Sequence, residues 1–187
     1  MTESIDQPAY LGKRVMDLAF ATCACIVFAP LVTAICFAIW LDDGGTPFFT
    51  QQRIGAARRP FRILKFRSMR DGVVTRVGRW LRRTGLDELP RFVNVCRGEM
   101  SVVGPRPLTA ADVARLNWAS ASHDWRFTTR PGITGIAQLI GGRSARHSAR
   151  LDRLYLRRQS APLDVCIVAL SFVGNLAGKA AVRKWIA

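Results

Sequence analysis

Acidic side chains are scarce in this chain of 187 residues: 13 Asp and Glu stand against 28 Lys and Arg, a formal net charge of +15 at pH 7. Ligand sets for zinc are missing too. There is no CxxC pair and no HExxH, and His123 and His147 stand alone, so zinc chemistry is disfavoured. The five cysteines are odd in number and four lie inside apolar runs, which argues against a disulfide framework. No GxxxxGK[ST] occurs, and Gly178-Lys179 is followed by Ala180, so a P-loop nucleotide triphosphatase is disfavoured as well.

What is present is charge and grease together. The pI is near 11.2, yet 49% of residues are apolar, an unusual mix for a simple nucleic-acid binder. It suits a membrane surface, because a polybasic face is drawn to anionic lipid headgroups and the same charge collects phosphorylated substrates. The length fits one domain, 1–187, with enough chain to bury a core.

Leu18 to Leu41 is a run of 24 residues without a charge. As one helix it is roughly 36 Å long, enough to cross a bilayer. It exceeds the apolar core of a secretory signal and shows no clear cleavage pattern. Pro30 stands at its midpoint, where it deletes a backbone hydrogen bond and kinks a helix. Lys13 and Arg14 precede the run and Arg53, Arg58 and Arg59 follow it, so the positive-inside tendency pulls both ends to the cytoplasm. A helix broken at Ala29-Pro30 that enters and returns on one face satisfies both ends; one ordinary kinked transmembrane helix is the competing reading.

PFFTQQRIG and RPFRILKF, separated by a basic Gly-containing turn, predict a β-hairpin over about residues 47–66 that presents Lys65 and Arg67 at its end as phosphate-binding candidates. TRVGRWLRR predicts a short basic amphipathic helix with Val77, Trp80 and Leu81 on one face, able to pack on the core or dip into headgroups. RTGLDELPRFVNV then places two adjacent acids, Asp87 and Glu88, in the most basic part of the chain. Fourteen Lys or Arg and only four acids lie between Arg53 and Arg106.

Thr84-x-x-Asp87 has the form of a capping box, but Pro90 would then fall in the second turn. With Asp87 as N-cap, Pro90 falls in the tolerated first turn, so the sequence favours Asp87 opening a helix. The helix dipole and nearby arginines would keep that carboxylate ionised, as a nucleophile or metal ligand requires; pure capping is the alternative role. Neighbouring residues of a helix face different ways, which gives Asp87 and Glu88 different tasks. Magnesium takes one or two carboxylates and completes its shell with phosphates and water. A small acidic centre in a basic cup, with arginines such as Arg91 gripping phosphate, fits phosphoryl transfer.

SVVGPRPL fixes the backbone around Arg106 with Gly104, Pro105 and Pro107, and RPGITGIAQL repeats the device at Arg130. GGR adds Arg143 on a flexible loop. Toward the C-terminus, Val165 to Gly178 is uncharged and too short for a comfortable span, and Lys179, Arg183, Lys184 and Trp185 follow. This reads as an interfacial helix or, equally, as a core helix.

In order, KRVMDLAF, the proline-broken run, FTQQRIG, FRILKFRSM, TRVGRWLRRTGLDELPRFVNVCRGEMSVVGPRPL and RPGITGIAQL closely resemble the bacterial sugar transferases known as monotopic phosphoglycosyl transferases, over about residues 11–170. The resemblance implies a mainly α fold with a small β-hairpin (α+β), a re-entrant membrane helix over residues 11–42 broken at Ala29-Pro30, and a catalytic and interfacial part over 43–187 on the cytoplasmic face of the bacterial inner membrane. It implies magnesium-dependent transfer of a sugar phosphate from a UDP-sugar to a polyprenol phosphate. Asp87 would be the nucleophile and a metal ligand, and Glu88 its acidic partner. Lys65, Arg67, Arg91, Arg106, Pro107, Arg130, Arg143 and Asp152 would contact substrate, with Asp152 and Tyr155 matching a DxxY-like segment.

The chain departs from the family at Ala29, where Ser is usual, and at GIAQLIGGR, where the family reads GWAQVNGR; it also lacks the usual acid before TRVGR. Without a long N-terminal membrane domain it resembles the small form. Anionic lipid is the expected surface and nucleic acid is not an expected partner; monomer and dimer are both compatible with these features. A membrane-tethered nucleic-acid binder, which does not need the Asp87-Glu88 pair, and a scaffold of the same fold, against which loss of function on swapping Arg106 would weigh, are the rival classes.

Overall fold

A computed structural model describes residues 10–141 and 144–177. The chain opens with a single long helix, α1 (Lys13–Asp43), followed by the strands β1 (Phe48–Ile54) and β2 (Pro60–Phe66). A tight pair, β3 (Met69–Arg70) and β4 (Val73–Val74), leads into the helices α2 (Arg76–Thr84) and α3 (Arg91–Cys96). Then come β5 (Ser101–Val103), α4 (Ala110–Arg115), β6 (Gly132–Thr134), α5 (Ile136–Ile140), α6 (Ala145–Arg158) and α7 (Ala161–Ala177). The fold is mainly helical with small two-stranded sheets, as expected from the sequence.

The hairpin expected over 47–66 forms: β1 and β2 are antiparallel, with Phe48 opposite Phe66 and Ile54 opposite Pro60. Phe61 and Ile63 alternate into the core with Val95, Met100, Val102, Tyr155 and Ile167, the period-2 pattern of a half-buried strand. The two Gly/Pro loops, read from sequence as separate devices, are one structure. β5 and β6 run parallel, Ser101 against Gly132 and Val103 against Thr134. A Cβ on Gly132 would lie 2.1 Å from the Gly104 nitrogen, so only glycine allows the backbones this close.

α1 passes through Pro30 as one helical run. Only 17% of its most apolar stretch is buried, and Ile26, Val27, Phe37, Trp40 and Leu41 are exposed. It is the one described helix long and apolar enough to cross a membrane, and its bare flank is not that of a soluble core helix. The family's serine hydroxyl is absent at Ala29, but Thr33 Oγ1 donates to the Ala29 carbonyl at 3.0 Å, a back-bond of the kind that bends helices.

Polar contacts fix α1 at both ends. At its start, Lys13 Nζ lies 2.6 Å from Asp164 Oδ2 of α7, with side chains 4% and 0% exposed. Tyr10 and Tyr155 hydroxyls donate to the same carboxylate, at 3.0 and 2.8 Å. Asp17 Oδ1 accepts from Ser101 Oγ and the Val102 amide, both at 3.0 Å. At its end, Asp43 pairs with Arg67 and Asp42 accepts from the Val77 amide at 3.2 Å.

The expected amphipathic face of α2 is divided. Leu81 is buried against Ile35, Ile39 and Phe66 with Val77 beside it, whereas Trp80 is half exposed. α7 buries Asp164 and Ile167 and exposes Val165, Phe172 and Val173. Lys179, Arg183, Lys184 and Trp185 lie outside the described residues.

Removing Asp164 leaves the buried Lys13 ammonium with only the more distant Asp17 carboxylate, 3.8 Å away, and breaking a buried pair typically destabilises by about 3–5 kcal/mol. Asp164→Ala is expected to lose stability of that order in denaturant titrations of the micelle-bound protein. A change under about 1 kcal/mol, the range of exposed pairs, would show that water reaches the site.

Candidate active site

The acidic pair lies in the connection between α2 and α3. Gly85 ends α2 in the left-handed region, φ +73°, a conformation that suits glycine. Leu86–Glu88 then form one 3₁₀ turn, and α3 begins only after Pro90. Neither capping frame drawn from the sequence is realised. Thr84 turns back to donate to the Trp80 and Leu81 carbonyls, and Asp87 caps nothing. Proline explains the outcome: its ring clashes with a carbonyl one turn back, so an α-helix cannot extend N-terminally through residue 90. The three residues before it take the tighter turn instead.

This turn gives the two carboxylates different surroundings. Glu88 Oε1 accepts from Arg91 Nη2 at 2.5 Å and lies 3.6 Å from Lys65 Nζ. Asp87 is half-buried and has no hydrogen bond or ion pair among the described residues. Burial, and next the Glu88 charge, raise its proton affinity above the usual carboxylate range; Lys65, Arg91 and Arg82 pull against this. The expectation that Asp87 caps a helix and is stabilised by its dipole is thus corrected. The cations facing Asp87 do not fully offset its desolvation.

Cations crowd around the pair. Lys65 is held below its usual range by burial first and by Arg91 second. Arg91 is 5% exposed, and it is repelled by Arg106 and Arg53. Arg106 is exposed at the tip of its loop. Arg53 Nη1 donates to the Pro107 carbonyl at 3.2 Å, and its buried Nε has no partner, nor has the Nε of Arg91. Lys65, Asp87, Glu88, Arg91, Arg106 and Pro107 therefore lie together, and Arg53 and Arg82 join them. The hairpin register carried a signal for Arg53: with Phe49 opposite Lys65 and Arg53 opposite Phe61, both cations share one face of the ribbon.

Three expected substrate contacts are placed elsewhere. Arg67 is spent on Asp43 at the end of α1. Arg130 Nε donates to the Gly98 carbonyl at 2.8 Å, beside the end of α3 remote from Asp87, where Arg14 also binds the Val95 and Cys96 carbonyls. Asp152 is 3% exposed and pairs with buried Arg126 at 3.0 Å, and Arg126 Nη2 donates to the Arg106 carbonyl at 2.9 Å. It holds the Arg106 loop from behind rather than touching the cup. Arg143 lies outside the described residues.

Among the described residues no three His, Cys, Asp or Glu converge as a protein-only metal cage. Arg91 and Lys65 both engage Oε1 of Glu88, which leaves Oε2 and the Asp87 carboxylate as donors. Two carboxylates within a ring of cations fit magnesium, which takes one or two carboxylates and keeps water and phosphate oxygens in its shell.

A family model described as bacterial sugar transferase matches residues 8–178. The chain is 39% identical over 186 residues to an undecaprenyl-phosphate glucose phosphotransferase of Komagataeibacter xylinus, covering 86% of this chain and 35% of that protein. It is 35% identical over 192 residues to a UDP-glucose:undecaprenyl-phosphate glucose-1-phosphate transferase of Escherichia coli, covering 91% and 41%. It is 39% identical over 175 residues to a UDP-N-acetylgalactosamine-undecaprenyl-phosphate N-acetylgalactosaminephosphotransferase of Aeromonas hydrophila, covering 83% and 41%. The chain thus spans between a third and a half of the length of these relatives.

Two outcomes follow from this geometry. The folded chain holds the Asp87 proton more tightly than the unfolded chain does, so this group's contribution to stability is full below the ordinary carboxylate range and falls as pH rises through the raised value. Asp87→Asn removes that loss and is expected to be at least as resistant to denaturant as wild type at neutral pH; a lower midpoint would refute the assignment. Asp152→Ala isolates the buried Arg126 charge and is expected to destabilise by about 3–5 kcal/mol in the same titration.

Proposed function

Because the chain belongs to the bacterial sugar transferase family, we propose that it transfers a sugar 1-phosphate from a UDP-sugar to a polyprenol phosphate, undecaprenyl phosphate being the acceptor named for the relatives. The observation that carries this reading is the asymmetry of the acidic pair: Glu88 is clamped by Arg91 and Lys65, whereas Asp87 is half-buried and unpartnered in a ring of cations. An unpaired, partly desolvated carboxylate is a better nucleophile than a paired one.

In the first step a carboxylate oxygen of Asp87 bonds to the phosphorus that carries the sugar. The bond from that phosphorus to the bridging oxygen breaks, and its electron pair leaves with UMP. In the second step a phosphate oxygen of the polyprenol phosphate attacks the same phosphorus, the bond to Asp87 breaks, and the carboxylate is restored. Lys65, Arg91, Arg106 and Arg53 hold the diphosphate and offset charge as it shifts to the leaving group. Asp152, through Arg126, fixes the loop that presents Arg106. Asp87 and the free Oε2 of Glu88 are the groups that would hold magnesium, which when bound would supply further positive charge at the diphosphate.

The reaction is placed at the cytoplasmic face of the bacterial inner membrane, with α1 entering and leaving the same leaflet by a bend at Pro30. Support comes from the two ends of α1, whose charged residues bond to the same body: Lys13 and Asp17 to α7 and β5, Asp42 and Asp43 to α2 and Arg67. Cations flank the apolar run on both sides, as one shared aqueous face requires.

Exchange of labelled UMP into UDP-glucose and UDP-N-acetylgalactosamine, with magnesium and without polyprenol, isolates the first step. Wild type is expected to exchange with at least one donor and Asp87→Asn with none. Exchange that survives in Asp87→Asn would remove the covalent step from the mechanism.

A further inference from the structure

One buried polar side chain next to the site plays no part in the steps above: Asn94 of α3, 0% exposed. Its Oδ1 accepts from the Leu64 amide at 2.9 Å, and its Nδ2 donates to the Arg62 carbonyl at 2.8 Å and to Glu99 Oε2 at 2.6 Å. Both protons and one lone pair of the amide are used, which fixes its orientation. The Arg62 carbonyl and the Leu64 amide lie on the edge of β2 turned away from β1, so this one side chain stands where a third strand would pair. Among the described residues no backbone hydrogen bond joins β2 to α3, and the Asn94 amide supplies the link instead.

The place of this link in the chain bears on the cup. Lys65 directly follows Leu64 and shares a side of β2 with Phe61 and Ile63, by the alternation of a strand. Arg91 precedes Asn94 by three residues, close to one turn of α3. The amide therefore ties the two elements together one residue from Lys65 and one turn from Arg91. Those two cations meet on Oε1 of Glu88, at 3.6 and 2.5 Å.

We propose that Asn94 is a positioning residue for the transfer: it sets the register of β2 against α3, and so holds the Lys65 ammonium on Glu88 and leaves Asp87 as the free carboxylate. The inference rests on the transferase reading above and adds a residue that acts through Lys65 without touching substrate. Apolar packing has no direction, so by itself it permits a helix to slide along a strand. Two hydrogen bonds to a strand edge forbid the slide, because a shift of one residue turns the matching carbonyl and amide to the other edge and leaves the buried side chain unpaired. A displacement of about 1 Å in a group that grips the reacting phosphates can cost about a hundredfold in rate.

The test uses the full-length chain in phospholipid nanodiscs and two readouts. UMP exchange without acceptor reads the first half-reaction. A carbodiimide, which joins an amine to a carboxylate only where they touch, reads the Lys65–Glu88 contact as a cross-linked peptide. Asn94→Leu keeps the bulk and removes the amide; Glu99→Gln keeps both bonds to β2 and removes only the charge at Nδ2. Asn94→Leu is expected to exchange UMP at least about tenfold more slowly and to lose the Lys65–Glu88 product. Glu99→Gln is expected to match wild type in both.

A residue that only stabilises the fold would lower the denaturation midpoint of Asn94→Leu yet leave the cross-link intact in the folded protein. The proposal is overturned if Asn94→Leu forms the product as wild type does, or if wild type forms none. If Asn94→Leu does not fold, Asn94→Asp is read in its place. It keeps the oxygen that faces the Leu64 amide and gives up both donations, and it is expected to lose product and exchange in the same direction; retention of both would overturn the proposal. Failure of wild type to exchange UMP with any donor would sink the transferase reading instead, and the cross-link would still report whether Asn94 places Lys65 on Glu88.

Discussion

Lys13 and Asp164, an ammonium and a carboxylate 2.6 Å apart and both removed from water, set the frame on which the other contacts depend. Buried charge is tolerated only when paired and hydrogen-bonded, so the two residues can meet in few ways. Their meeting fixes the start of α1 against α7, draws in Tyr155 from α6, and brings Asp17 onto the first strand of the β5–β6 pair. A helix with most of its apolar surface bare gains little orientation from packing. Its direction comes from these polar ends, at Lys13 and Asp17 on one side and Asp42 and Asp43 on the other.

That frame sets the depth and charge of the cup. Arg91 lies at the start of α3, whose far end is tied to α1 by Arg14 and closed by Arg130. The Arg106 loop follows β5, which Asp17 holds, and it is braced from below by Arg126 and Asp152. Arginines thus serve in two ways: some satisfy backbone carbonyls and buried carboxylates, and others face the acidic pair, Arg91 bonded to Glu88 and Arg53 shared with Asp112. The second group has more positive charge than Asp87 and Glu88 neutralise, and phosphate is the natural complement. Burial has the opposite effect on Asp87, drawing its proton affinity up, so the site combines a cation field with a carboxylate not fully stabilised by it.

Much of this was legible in the sequence wherever the signal was local. The hairpin follows from two β-branched and aromatic segments around a basic turn, the long helix from an uncharged run, and the acidic pair from its position in a basic stretch. Lys65 and Arg91 are adjacent to those landmarks in sequence, and with Arg106 they lie around the acidic pair. The 3₁₀ turn at Leu86–Glu88 is not legible in the sequence, because Pro90 permits an arrangement outside both capping frames that the residues suggest.

Arg67, Arg130 and Asp152 carried residue types suited to phosphate or metal, but Asp43, Gly98 and Arg126, more than 20 residues away in each case, claimed them. The sequence by itself determined the basic surface, the long apolar helix and the identity of the acidic pair, because charge and hydrophobicity belong to each residue and to its near neighbours. Tertiary structure alone decided which guanidinium faces the site and which carboxylate stays unpaired. Desolvation and pairing depend on what the chain brings alongside from a distance, and that is not written in local spacing.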